Sequence, residues 1–241
     1  MFKLGSSRKK TTRLRRGYST ETGRLCEHNQ DDLAWIEPED ELSLRLRGRL
    51  YIVADGMGGH AGGEIASRMA VTRLAQVYSA GRELDIGIAL RQAIQAANSD
   101  IYSNSRSGEQ AGMGTTIISA VIHGDQLFIG YVGDSRAYLL RQGKLDCLTQ
   151  DQTLVNELVR QGKMTPEEAV ESPRRHILSQ AVGITKEIDP VISTPKSLAR
   201  GDVLLLCSDG IHGYLDEDTI AYLLKINRDD PQAAATSLSL I

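Results

Sequence analysis

Residues 115–132 read TTIISAVIHGDQLFIGYV, two runs rich in β-branched and aromatic side chains separated only by Gly124 and Asp125. A two-residue Gly-Asp connection can only turn the chain back on itself, so the two runs pair as an antiparallel hairpin. A parallel pair would need a crossover of a dozen residues or more. Other strand-like runs surround this one. RAYLLRQGKLDCLT continues the meander through Gly143, LAWI (33–36) and RLYIVA (49–54) flank an acidic connection, and VLLLC (203–207) reads as a further buried strand. Helical periodicity interrupts them, with Ala66, Ala70, Leu74 and Val77 on one face, then Ile86, Leu90, Ile94, Ala97 and Ile101 on another. Residues 151–183 turn helical, and Thr165, Pro166 and Glu168 mark one helix start by a capping box. A helix with Ile220, Leu223 and Leu224 follows Asp216, and Asp230-Pro231 opens another. Strand runs in succession, separated by helix pairs, specify an α+β sandwich of antiparallel sheets covered by helices rather than a βαβ parallel fold.

A chain of 241 residues buries a substantial core, and a net charge of −3 does not fit a nucleic-acid binder. The charge is uneven. Residues 1–16 hold seven Lys or Arg and no acid, and are expected to form a basic, solvated, disordered tail ahead of one domain over 17–241. Contact of that tail with lipid or an acidic partner is the lesser alternative. It lacks the apolar region of a signal peptide, and no later run is long enough to span a bilayer. Cys26, Cys147 and Cys207 are widely spaced with no CxxC pair, which fits a reducing, cytoplasmic setting and argues against cysteine-ligated zinc. The last stretch, PQAAATSLSLI, is expected to leave an apolar helix end bare and to lack a following strand.

Within YIVADGMGGHAGGE (51–64), Asp55 ends an apolar run and five glycines follow in the next eight residues. Glycine lets other atoms approach the main chain closely, which suits a nucleotide phosphate or a hard metal ion. Residues Gly56 to Ala61 match a dinucleotide fingerprint, yet Asp55 would stand beside the pyrophosphate and a second helix, not a strand, comes after the first. Two further aspartates share the setting of Asp55: Asp134 follows FIGYVG and Asp209 follows LLLCS. Any one of them alone reads as a turn or helix cap. Three carboxylates converging at strand ends would repel one another unless a cation lay between them, and oxygen ligands without His or Cys favour Mg²⁺ or Mn²⁺.

VADGMGGHAGGE, MGTT (113–116), GYVGDSRAY (130–138), HILSQAVG (176–183) and LLLCSDG (204–210) resemble, in order, the motifs of the bacterial type 2C metal-dependent protein serine/threonine phosphatases, and STETGRLCEHNQD resembles the first motif. The resemblance runs from about residue 17 to 226. It implies a β-sandwich of two antiparallel sheets flanked by helix pairs, and hydrolysis of phosphoserine and phosphothreonine in proteins by a metal-bridged hydroxide with no phosphoenzyme. It implies two Mn²⁺ or Mg²⁺ ions bridged by Asp55, with the Gly56 carbonyl and Asp209 as further ligands, Asp31 holding metal-bound water, and Asp134 with Asp209 taking a third, weaker ion. Residues 151–178 correspond to a mobile flap beside the cleft. His60 is a candidate proton donor to the leaving oxygen, or a loop histidine that only hydrogen-bonds. Arg174, Arg175 and His176 at the flap exit are candidate phosphopeptide contacts, against a default of solvated charges. Arg136 and Glu64 read as a structural pair or as solvated charges. The implied partners are phosphorylated proteins and a cognate kinase.

Two departures temper this. The chain stops before the Asp-Asn strand that normally completes the second metal site, and Cys26 stands where the family carries the arginine that grips phosphate. A thiol cannot make the bidentate, charge-assisted contact of a guanidinium. The alternative reading is therefore a weakly active or inactive domain that binds phosphoproteins. The expected consequence of Cys26 is a high KM for small phosphoesters, and Cys26→Arg should raise kcat/KM chiefly by lowering KM; an unchanged kcat/KM would refute this.

Overall fold

The hairpin is built on the predicted turn: Ile117–His123 and Gln126–Val132 pair antiparallel with His123 opposite Gln126, and Gly124 takes φ +65°, where a side chain would be strained. The computed structural model describes residues 14–23, 28–58, 62–106 and 111–240. In chain order the first elements are β1 (Asp31–Ile36), α1 (Glu41–Arg47), β2 (Arg49–Met57), α2 (Gly62–Ala80) and α3 (Ile86–Asn104). The hairpin region contributes β3 (Gly114–Thr115), β4 (Ile117–His123), β5 (Gln126–Val132), β6 (Arg136–Arg141) and β7 (Lys144–Cys147). The remainder comprises α4 (Leu154–Arg160), α5 (Pro166–Glu171), β8 (Val191–Ile192), β9 (Lys196–Ser197), β10 (Val203–Cys207), α6 (Asp209–His212), α7 (Glu217–Ile226) and α8 (Pro231–Ser239).

Two antiparallel sheets result among the described residues. One runs β1-β2-β4-β5-β8, with β3 added to β2 and β9 to β5; the other runs β10-β6-β7. Strand β4 explains the layering. Its residues Ile117 and Val121 pack with the helix pair α2 and α3, through Leu74, Leu90 and Ile94. Ile118, Ala120 and Ile122 face the other way, toward Ala137 and Leu204 of the second sheet. A strand buried on both faces has no polar side to show, which is why β4 is almost wholly apolar; its Ser119 is buried and donates to the Gly130 carbonyl at 2.8 Å. The outer face of the second sheet is covered in turn: Tyr138, Leu140 and Cys207 pack on Ile220 and Leu224 of α7 and on Ala234 and Leu238 of α8. The order helix pair, sheet, sheet, helix pair is the predicted sandwich.

Several boundaries differ from the sequence reading. The acidic connection contains α1, capped by Asp40, whose carboxylate accepts from the Ser43 amide at 2.7 Å. Its leucines alternate with Ser43 and Arg45, and none of its residues is buried, so no helical stripe marks it. The hairpin β6–β7 does not continue the first meander; the chain crosses to the second sheet between Val132 and Arg136. Of the helical stretch 151–183, only α4 and α5 are helices, although the capping box of Thr165 and Glu168 is present. Arg136 pairs with Asp151 and Glu64 with Arg68, not with each other. Cys207 is buried, while Cys147 is exposed rather than structural. The apolar end of α8 is not bare throughout, since Leu238 is buried against the second sheet.

Residues 14–16, expected to belong to a disordered tail, are packed. Leu14 lies against the inter-sheet core, and the Arg15 guanidinium donates to the Asp229 carbonyl at 2.7 Å. Arg16 stacks over Trp35, 4.5 Å from the ring centroid, and pairs with Glu37. These stems bury apolar length while the heads find acceptors, which composition alone does not register. Residues 1–13 lie outside the described residues.

The second sheet is pinned at one end by a charge pair. Arg141 at the end of β6 makes two hydrogen bonds to Asp202, which also accepts from the Ala199 amide at 2.7 Å. Arg141 and then Ala199 hold the Asp202 carboxyl below its ordinary 3.8, so its stabilisation is present above that pH and is lost as the pH falls through the folded value. Asp202→Asn should lower Tm by a few degrees at pH 7, and the deficit should vanish on acidification below the ordinary carboxylate range; a deficit independent of pH would assign the loss to packing instead.

Candidate functional site

Strand register begins the site. In the β1–β2 ladder Asp31 stands directly opposite Asp55, so the two carboxylates occur side by side on one face at the end of the sheet. Just beyond, the glycine-rich loop folds back on the strand. A Cβ on Gly56 would lie 2.0 Å from the Gly63 carbonyl oxygen, so only glycine permits this closeness, and the Gly56 amide donates to Gln30 O at 3.1 Å. Helix α2 starts there, and its Ser67 hydroxyl donates to the same Gln30 carbonyl at 2.6 Å.

The other two carboxylates arrive from separate strands. Asp134 follows β5 and is buried; Asp209 opens α6 immediately after β10. Asp55, Asp134 and Asp209 line one cleft of about 750 Å³ with Met57, Thr116 and His176. Hydroxyls lock the carboxylate-bearing segments together. The Asp55 amide donates to Thr116 Oγ1 at 3.0 Å, and the Thr115 hydroxyl donates to the Asp55 carbonyl at 2.8 Å. Thr116 Oγ1 lies 2.8 Å from the Ser135 hydroxyl beside Asp134. Ser208, beside Asp209, donates to Asp31 Oδ2 at 2.6 Å. His212 Nε2 donates to the Asp134 carbonyl at 3.1 Å, which joins α6 to the β5–β6 connection. Burial, followed by the Arg136 charge, lowers the affinity of His212 for a proton.

The electrostatics are those of crowded acids. Burial and then the Asp31 and Asp209 charges push Asp55 up to about 9. Burial, then Asp209 and Asp151, push Asp134 up to about 6, and burial raises Asp31. The neighbouring cation, Arg136, is engaged bidentately by Asp151 at 2.9 and 2.7 Å. Asp31 and Asp209 thus act on Asp55 as close like charges, and each makes its ionisation harder. Among the described residues no three His, Cys, Asp or Glu side chains surround one common point as a finished cation cage. The donor set still fits a hard divalent ion. It offers only oxygen and gathers like charges in a partly enclosed cleft, and the raised Asp31, Asp55 and Asp134 make proton release part of cation binding.

The structure thus brings Asp31, Asp55, Gly56, Asp134 and Asp209 together. Cys26 and His60 lie outside the described residues. Arg174 and Arg175 are exposed at the flap exit and do not line the cleft, whereas His176 does; the Arg175 Nε donates to His176 Nε2 at 2.9 Å. The base of the flap is closed by the Leu154 amide on the Ile177 carbonyl at 2.8 Å, and Gln152 accepts from the Gly133 amide at 2.7 Å, one residue from Asp134. Thr115, Thr116, Ser208, His212 and Gln152 carry no role in the sequence reading. The paired threonines at a strand start, and the serine directly before Asp209, were the available signals.

Comparison with known proteins agrees with this geometry. Residues 17–234 match the family described as protein phosphatase 2C. The chain is 37% identical over 217 residues to the serine/threonine phosphatase stp of Listeria monocytogenes, covering 88% of this chain and 83% of that protein. Its fold superposes on the S. agalactiae serine/threonine phosphatase with a TM-score of 0.79 at 35% identity, covering 93% of this chain and 94% of the other. It also superposes on the catalytic domain of the protein phosphatase PstP in complex with two manganese ions, with a TM-score of 0.74 at 33% identity, covering 91% and 87%. A family match over most of the chain, with a relative 37% identical over 217 residues, decides the matter: the chain belongs to the protein phosphatase 2C family.

Proposed function

We propose that this chain is a metal-dependent protein serine/threonine phosphatase that uses Mn²⁺ or Mg²⁺, two ions with a third, weaker position. The observation that carries the reading is the convergence of Asp55, Asp134 and Asp209, from three different strand ends, on a single cleft, with Asp31 directly opposite Asp55 in the ladder. Asp55, the Gly56 carbonyl and Asp209 would hold the two ions, and Asp134 with Asp209 the third. Bound divalent ions supply an activated water for in-line attack on phosphorus and neutralise the charge that develops there. Asp31 would orient the attacking water, and Ser208 holds Asp31 in turn through its 2.6 Å hydrogen bond. Thr115 and Thr116 fix the Asp55 main chain from both sides, so its carboxylate has little freedom to leave the cleft. His60 is the candidate donor of a proton to the departing seryl or threonyl oxygen.

Arg174 and Arg175 supply positive charge beside the cleft mouth and act on the phosphopeptide at longer range than a direct grip, since His176 intervenes. With Cys26 in the first motif, phosphate recognition depends more on the ions than on arginine. The reading as an inactive phosphoprotein-binding domain is not favoured, because its relatives are named phosphatases and the acidic set is intact. The relatives are bacterial, and no described helix is long and apolar enough to cross a membrane. We place the chain in the cytoplasm, opposing a serine/threonine kinase on shared phosphoprotein targets.

Turnover of p-nitrophenyl phosphate and of a phosphothreonine peptide should require Mn²⁺ or Mg²⁺ and stop on chelation. Asp55→Asn should lose more than the roughly 10–100-fold that follows from removing an outer partner, and should also lose the rise in Tm that Mn²⁺ gives the wild type. Metal-independent turnover, or full activity in the variant, would refute the assignment. Ser208→Ala should fall within that 10–100-fold range at saturating metal, with the folded state retained; an effect on Tm alone would make Ser208 a packing residue.

A further inference from the structure

One wall of the cleft is built with more care than its exposure suggests. The segment Val182–Ile188 leaves β-structure after a single bridge to Thr115, with the Thr115 amide on the Val182 carbonyl at 3.0 Å and the reverse bond at 2.9 Å. Thr115 is also the residue whose hydroxyl holds the Asp55 carbonyl, so the wall is rooted one residue from the carboxylates. From the opposite side the segment is clamped by Asn98 of α3, which is 1% exposed. The Asn98 amide nitrogen donates to the Thr185 and Lys186 carbonyls at 3.0 and 3.1 Å, and its oxygen accepts from the Gly183 amide at 2.7 Å. Ser105 adds a hydrogen bond to the Gly183 carbonyl at 3.0 Å. A buried amide is costly unless satisfied, and here three of its bonds go to one short loop.

The clamped loop presents apolar side chains to the cleft. Ile184 is 45% exposed, Ile188 is partly buried, and Ile177, at the flap exit, is 47% exposed and lines the same cavity. Single exposed isoleucines are ordinary on protein surfaces. Two on separate segments lining one cavity beside the carboxylates are not scattered. Ile184 is seated directly on β3, since a Cβ on Gly114 would stand 2.7 Å from its Cδ1. Gly114 pairs with Met57, which lines the cleft next to Asp55. The isoleucine is therefore held at a fixed place relative to the phosphoryl-transfer centre, and binding against it requires no ordering of the loop.

We propose that Ile177, Ile184 and Ile188 form a preorganised specificity wall that seats an apolar side chain flanking the phosphorylated residue of a protein substrate. The proposal rests on the phosphatase reading above. The occupant follows from continuity with the carboxylate end of the cleft: a chain whose phosphate lies at Asp55 and Asp209 must run past this wall. An apolar neighbour loses water contact there, while glycine or a small phosphoester leaves the wall wet.

The test uses the full chain with Mn²⁺ and two phosphothreonine peptides that differ only in having Leu or Gly at both positions flanking the phosphothreonine. The wild type should favour the Leu peptide in kcat/KM by about tenfold, the scale of discrimination a hydrophobic pocket supplies for small differences in apolar volume. Ile184→Ser and, independently, Ile177→Ser should bring that ratio toward one. A general loss of activity acts on both peptides and cancels in the ratio. Equal rates in the wild type, or an unchanged ratio in both variants, would overturn the specificity wall while leaving the phosphatase reading intact. Absence of Mn²⁺-dependent hydrolysis of both peptides and of p-nitrophenyl phosphate would overturn the phosphatase reading, and this proposal with it.

Discussion

The opposition of Asp31 and Asp55 across the first ladder is the constraint from which the site is organised. Like charges in register are unfavourable, and burial makes them more so. A sheet that places them there must supply compensation, and the surrounding residues do. Ser208 bonds to Asp31, Thr115 and Thr116 fix the Asp55 main chain, and Arg136 with Asp151 forms a closed pair behind Asp134. Each of these links also joins elements distant in sequence: Ser208 brings β10 to β1, and Thr116 with Ser135 brings β4 to the β5–β6 connection. The acidic centre and the joint between the two sheets are the same piece of structure. Its unfavourable electrostatics are retained because a cation can relieve them.

Much of this was legible in the sequence, for identifiable reasons. The β4–β5 hairpin declares itself by a two-residue turn, and α2 and α3 by apolar spacing. The carboxylates stood out because three of them share one context, the end of an apolar run beside a glycine. What was not legible depends on long-range geometry. Alternation in β6 and β7 is the same whichever sheet they join, so their departure to the second sheet left no trace. Helix α1 buries nothing and so has no stripe to read. Threonine and serine hydroxyls bond to whatever the fold brings near, and no spacing forecasts the bond from Ser208 to Asp31. Asn98 did leave a signal: it interrupts the face of Ile94, Ala97 and Ile101, where a polar residue needs a partner.

The fold also sets how the site communicates with its surroundings. The helix pair α2 and α3 covers the first sheet, and both helices reach the cleft margin. Helix α2 begins at the glycine loop, while α3 clamps the wall through Asn98. Where the flap begins and ends, the Ser179 amide donates to the Gln152 carbonyl, and Gln152 in turn bonds to Gly133 of the β5–β6 connection. Three margins of one cleft are thus held by different layers.

The packed segment at residues 14–19 has a consequence for the order of assembly. Arg15 bonds to Asp229, the Gln232 side chain bonds to Tyr18, and the hydroxyls of Ser19 and Ser239 meet across a separation of 220 positions. Tyr18 and Arg16 meanwhile rest on Trp35. The contacts of this segment with α8 therefore close a loop of more than 200 positions. Loop-closure entropy makes such contacts late in folding as well, and their mostly exposed bonds make them early to open. This strap is where the folded chain would first come undone, at the end of the second sheet's helix layer and away from the acidic centre.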